Sequence, residues 1–241
     1  PTRSPPIAPS SPHLARPASL WRPSPIRFAR LMLGLTLFGA GEGALVAAGL
    51  GNSPWTVFAQ GVSVQTPLSI GVATVLISFV VLLLWIPLGQ PLGLGTVCNA
   101  VWVGVALEGA LQVLPEDPGT ALAWALMLGG VAVVSLGSGF YLTAALGPGP
   151  RDGLMTGLHR RTGASLRLVR ASIEIGVLVA GYLLGGTVGV GTVVFAIGIG
   201  PGVQLAVERL STPEWRALER QRARGRGSSS ASASAPLRPS D

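Results

Sequence analysis

Six apolar stretches dominate the chain, at about 30–50, 67–87, 95–114, 121–146, 165–185 and 188–208. Each is close to the ~20 residues a helix needs to cross ~30 Å of hydrocarbon, and only a helix satisfies its own backbone there. The pattern predicts an all-α, polytopic membrane protein with six transmembrane helices. Polar punctuation separates the runs. Residues 51–66 and 88–94 carry no charge, Pro115-Glu116-Asp117-Pro118-Gly119 carries two acids, and 147–164 holds Arg151, Asp152, Arg160 and Arg161. The turn near Gly185–Val188 is very short. Residues 1–29, rich in Pro, Ser and Arg without apolar periodicity, read as a disordered basic tail. Residues 209–241, charged from Thr212 and then Ser/Ala-rich, read as a short amphipathic helix on anionic lipid followed by disorder.

The pattern also repeats. At an offset of 96, residues 34–110 match residues 130–206 without a gap at 22 of 77 positions, against roughly seven expected by chance, the kind of self-similarity that marks a repeat architecture. Identical pairs include Gly34/Gly130, Gly41/Gly137, Gly51/Gly147, Pro54/Pro150, Gly93/Gly189, Gly95/Gly191 and Thr96/Thr192. Membrane repeats of three helices each, over 30–114 and 121–208, follow from this. An odd number of crossings per repeat means that the halves insert in opposite orientations. The repeat also argues against a cleaved signal peptide, because the run 31–50 matches 127–146, which cannot be one, and is too long for an ordinary signal core.

Composition and charge sharpen the picture. A mean hydropathy of +0.56, with 49% apolar and only 11% charged residues, lies far from soluble globular proteins, about a quarter of whose residues are charged. All 17 basic residues are Arg, confined to residues 3–30, 151–170 and 209–238. That clustering beside apolar runs argues against nucleic-acid binding and for the positive-inside rule. With the N-terminus in the cytoplasm of a bacterial inner membrane, 147–164 and the C-terminus fall on the same side and the acidic loop outside. Trp55 and Trp124 then read as outer-interface anchors, and Trp21, Trp85 and Trp215 as inner ones. One cysteine, Cys98, and two distant histidines, His13 and His159, offer no disulfide and no metal cluster. No cofactor is expected.

The run Gly147-Pro148-Gly149-Pro150-Arg151-Asp152-Gly153-Leu154-Met155, with Arg170 and Glu174 in the following helix and Leu184-Gly185-Gly186-Thr187-Val188-Gly189-Val190-Gly191-Thr192 beyond, resembles the YczE/YitT-like family of bacterial multi-pass membrane proteins. The likeness covers about 30–208 and includes Gly93-Leu94-Gly95-Thr96-Val97-Cys98-Asn99. It implies a membrane location and lends no substrate, cofactor or catalytic residue.

Candidate chemistry is sparse. Gly186-Thr187-Val188-Gly189-Val190-Gly191 lacks the strand before it and the Lys after it that a phosphate loop needs, so close helix approach and a tight turn account for it. Pro150-Arg151-Asp152 and Pro54-Trp55-Thr56 can each open a short helix, with Asp152 and Thr56 as N-caps. Paired interruptions in inverted halves point to a transport site, where a helix N-terminus beside Arg151 favours an anionic group. The competing reading is an interfacial helix holding lipid headgroups through Arg151, Arg160 and Arg161. Glu42, Asn99, Glu108 and Glu174 lie inside spans, where polar groups are costly and count as functional candidates. Glu174 sits roughly 14 Å into its helix and one turn from Arg170, with which it can pair. Glu108 and Gln204, matched in the repeat, can hydrogen-bond to each other. The candidate substrate-binding residues are therefore Arg151, Asp152, Arg170, Glu174, Asn99 and Glu108. The sequence reads as a transporter or exporter of a small anionic or polar solute. The alternative is a membrane scaffold or accessory subunit that recruits a cytoplasmic partner. No nucleophile–base pair suggests an enzyme.

Overall fold

The computed structural model describes residues 20–211 together with 215 and 216. Most of both tails, including the expected amphipathic segment from Thr212, lies outside the described residues. Those described form nine α-helices and no strand.

Helix α1, Pro25–Ala48, begins inside the stretch expected to be disordered. Two local features start it: the Ser24 hydroxyl accepts from the Arg27 amide at 3.4 Å, and proline suits the first helical position. The arginines of its first turns are held in the fold. Arg27 donates to Ala144 O at 3.0 Å and Ala145 O at 2.8 Å, and Arg30 to Leu210 O at 2.6 Å. These carbonyls lie at the ends of other helices, where the chain leaves acceptors without intrahelical donors.

The chain continues through α2 (Pro54–Gln65), α3 (Ile70–Leu83), the short α4 (Trp85–Leu88), α5 (Leu94–Leu111), α6 (Thr120–Thr143), α7 (Pro150–Thr162), α8 (Leu166–Leu183) and α9 (Val190–Leu210). Helices α2, α3 and α5 begin 96 residues before α7, α8 and α9. Five segments are long and apolar enough to cross a membrane: α1, α3 with α4, α5, α6 and α9. Helix α8 has 18 residues but carries Arg167, Arg170 and Glu174.

Helices α1 and α6 form the central pair, with α5 on α1 and α9 on α6. Small residues set the crossing. Gly34 lies against Gly137 and Tyr141, and Gly41 against Gly130 and Val134, so the two helices run antiparallel. A Cβ on Gly137 would sit 2.6 Å from the Phe38 backbone nitrogen. Glycine is what allows backbones this close.

The Gly-rich turns at 93–95 and 189–191 lock the fold at two further points. Gly95 N donates to Leu146 O at 2.9 Å, and Gly191 N to Leu50 O at 2.8 Å. Gly51 and Gly147, which follow those two acceptors, have φ of +112° and +122°, a region glycine enters without steric cost. Two of the five tryptophans expected as anchors depart from the sequence expectation, while Trp21 and Trp124 are exposed. Trp85 is no interfacial anchor: it is 2% exposed, donates Nε1 to Pro150 O at 3.0 Å, and packs where any side chain on Gly153 would collide. Trp55, 6% exposed, is buried as well.

Candidate functional site

Beside the central pair lies a cavity of about 650 Å³. The N-terminal ends of both short helices meet in its wall, through Ser53, Pro54 and Trp55 of α2 and Gly149, Arg151 and Asp152 of α7. Proline explains the shared geometry. It takes the first helical position in each, so the caps are Ser53 and Gly149. Thr56 and Asp152, expected as caps, are instead third in their helices, and their side chains bond elsewhere.

Thr56 Oγ1 donates to Glu42 Oε2 at 2.7 Å. Ser53 Oγ lies 3.0 and 2.8 Å from the two oxygens of the same carboxylate. Glu42 is 1% exposed and sits on the amino end of α2, where the helix dipole favours a negative charge. In the other half, Tyr141 donates its hydroxyl to Asp152 Oδ2 at 2.8 Å.

Arg151 is the side chain left over. Its guanidinium lies over the Trp55 ring, 5.1 Å from the ring centroid, and within electrostatic reach of Glu42, Asp152 and Glu174. No hydrogen bond or ion pair joins it to another described residue. The buried Trp55 Nε1 likewise has no acceptor among the described residues.

Helix α8 supplies Arg170 and Glu174 to the same cavity. They pair at 3.0 Å, with side chains 58% and 35% exposed. A pair this open contributes at most about 1 kcal/mol where water reaches it. Asn99 of α5 lies against Gly149 in the cavity wall. Phe38, Val103, Val134, Phe195, Ile199 and Val203 give the remaining wall an apolar side.

Of the six candidates, the fold therefore brings together Arg151, Asp152, Arg170, Glu174 and Asn99. Glu108 stands apart. Its Oε2 accepts from the Gly71 amide at 2.9 Å, closing the first turn of α3. The expected Glu108–Gln204 hydrogen bond is not made, because α5 packs on α1 and α3 while α9 packs on α6. Gln204 bonds Glu208 at 2.9 Å instead. Glu42, a costly acid inside a span, stands outside the six candidates, and Trp55 is an expected interfacial anchor, yet both line the cavity. The 96-residue offset held the missing signal, since it pairs Trp55 with Arg151, and these two stack.

Helices apolar enough to cross a bilayer, enclosing a polar cavity, define a multi-pass membrane protein. The chain belongs to the family of unknown function DUF6198, which matches residues 25–208, from the first residue of α1 almost to the end of α9. Among its relatives is the "Uncharacterized membrane protein YczE" of Bacillus subtilis (strain 168), 31% identical over 158 residues, which are 61% of this chain and 69% of that one. An "Uncharacterized protein" of Haemophilus influenzae is 44% identical over 186 residues, 77% of this chain and 85% of that one. No solved structure matches.

Proposed function

We propose that the protein is a small-solute transporter of the bacterial inner membrane, with the cavity between α2, α7 and α8 as its binding site. The observation that carries this reading is the meeting of two half-length helices at a half-buried guanidinium that faces the cavity without a hydrogen-bond or ion-pair partner among the described residues. At 12 and 13 residues, α2 and α7 reach only about 18–20 Å, too short to cross hydrocarbon. Short helices whose amino ends converge on a cavity beside the midpoints of spanning helices are the arrangement in which transporters hold substrates. Phe38 of α1 and Val134 of α6 border the cavity near the middle of their helices. Arg151 and the first amides of α7 offer positive charge there, which suits a solute with an anionic oxygen group.

The reading includes six crossings, with α8 added to the five apolar spans and its Arg170 and Glu174 turned to the cavity, and two halves inserted in opposite orientations. The antiparallel contact between α1 and its counterpart α6 supports it. So do the loop contacts: Gly95 with Leu146 and Arg161 with Pro87 join residues that six crossings place inside, and Gly191 with Leu50 joins two placed outside. Both termini then face the cytoplasm. A cysteine at position 117 is expected to react with an impermeant thiol reagent in whole cells, and one at 160 only after permeabilisation. The reverse result overturns the topology.

Binding tests the transport reading itself. The purified protein in lipid nanodiscs, heated with a panel of small metabolites, is expected to unfold at a higher temperature with at least one of them, increasingly as its concentration rises. The same compound should be taken up by proteoliposomes containing the protein. A panel without effect, together with no uptake, rejects the proposal.

A further inference from the structure

The charges around the cavity specify more than an anion. Three acids, Glu42, Asp152 and Glu174, and two bases, Arg151 and Arg170, border it. Their internal bonds leave a definite remainder. Both Glu42 oxygens are taken by Ser53 and Thr56, so this carboxylate has its partners. Asp152 uses only Oδ2, with Tyr141, and Glu174 only Oε1, with Arg170. Among the described residues, Asp152 Oδ1 and Glu174 Oε2 are left without donors, while the Arg151 guanidinium and the two Nη groups of Arg170 are left without acceptors.

A simple anion would answer the guanidinium and leave the two carboxylate oxygens facing an added negative charge. A simple cation would do the opposite. We infer that the ligand is a zwitterion with both charges close together, an α-amino acid with an apolar side chain. This rests on the transport reading above and narrows its substrate.

Each part of such a molecule has a counterpart in the cavity. Over the Trp55 ring, the Arg151 guanidinium keeps its planar fork of N–H donors without an acceptor among the described residues, the group that takes a carboxylate through two parallel hydrogen bonds. Asp152 and Glu174 border the same cavity as Arg151 and both lie within electrostatic reach of it, so an ammonium one carbon from the carboxylate can meet the two spare oxygens. The buried Trp55 Nε1, also without an acceptor, marks the same wall as unfinished. Phe38, Val103, Val134, Phe195 and Ile199 line the cavity with the apolar surface that an aliphatic or aromatic side chain needs.

The 96-residue offset shows that the polar pattern belongs to one orientation. Trp55 faces Arg151 where an exact copy would place two like residues, and Thr74 and Ser78 stand where the second half has Arg170 and Glu174. Charged recognition is thus concentrated in the second half, so the ligand lies with its charged end toward α7 and α8.

The test uses the full chain in nanodiscs and matched probes. Thermal stabilisation by alanine, valine, leucine, isoleucine, methionine and phenylalanine is compared with that by 4-methylpentanoate and 3-methylbutylamine, which are leucine without its ammonium and without its carboxylate. At least one amino acid is expected to stabilise, with each half-ligand at least about tenfold weaker. Glu174→Gln, at a position about one-third exposed, should weaken amino-acid binding about tenfold and leave 4-methylpentanoate binding no weaker than in the parent, since one opposing negative charge is removed. If 4-methylpentanoate matches leucine, or if other metabolites bind while no apolar amino acid does, the zwitterion is wrong and the transporter stands. If nothing binds and nothing is taken up, both fall.

Discussion

Glu42→Leu is expected to destabilise the folded protein by about 3–5 kcal/mol, the range for removing one partner from a buried charged network. Leucine is close to glutamate in size, so the loss is not one of volume. The Ser53 and Thr56 side chains, in residues 2% and 1% exposed, would keep their hydroxyls without the acceptor they now share, at about 1–3 kcal/mol for each polar group left unsatisfied. Arg151 would lose a carboxylate within its electrostatic reach, and α2 the negative charge at its amino end. Glu42→Gln keeps an acceptor oxygen and should cost less than half as much. Unfolding in detergent by heat or denaturant, without ligand, checks both variants. Equal stability of Glu42→Leu and the parent would show that the carboxylate does not hold α2 against α1.

Much of this architecture was legible because membrane physics writes in long runs. Six apolar stretches match helices α1, α3 with α4, α5, α6, α8 and α9 to within a few residues, and in the five of these that are apolar enough to cross a membrane roughly twenty apolar side chains leave little choice in hydrocarbon. The identical glycines of the repeat were legible for a related reason: Gly34, Gly41, Gly130 and Gly137 are the crossing of α1 on α6, and Gly93, Gly95, Gly189 and Gly191 are the turns that meet the opposite half. Close backbone approach tolerates one residue type, so two copies keep it.

The cavity was harder to read, because function there separates the copies. Glu42 faces Ser138 in the alignment, Trp55 faces Arg151, Thr74 faces Arg170, Ser78 faces Glu174 and Asn99 faces Phe195, and all ten line the cavity. Identity scoring passes over such positions. Pairs that differ in charge or polarity between otherwise matching halves mark them, Glu42 and Trp55 included. The start of α1 escaped for another reason. Arg27 suggests a solvated tail in one dimension, with Arg30 at the edge of the first span, and only the fold brings the free carbonyls at the ends of α6 and α9 beside them.

Arg151 carries the second large expectation. Arg151→Met should weaken solute binding by about 10- to 100-fold, the effect of losing charged hydrogen bonds of about 1.5–3 kcal/mol, and should abolish uptake at solute concentrations near the parent's Kd. Methionine keeps an unbranched chain against Trp55 but has no donor, so packing survives where recognition does not. The stack itself, at 5.1 Å, is worth about 0.5–2 kcal/mol, so ligand-free unfolding must be measured beside binding. Arg151→Lys separates the remaining terms. It retains the positive charge facing Glu42, and with it most of the ligand-free stability, but lacks the planar fork that grips a carboxylate at two points. Binding by Arg151→Lys is therefore expected to be intermediate, and its stability close to the parent's. If Lys and Met variants both bind as the parent does, the guanidinium serves only to balance Glu42, and the site of any solute lies elsewhere.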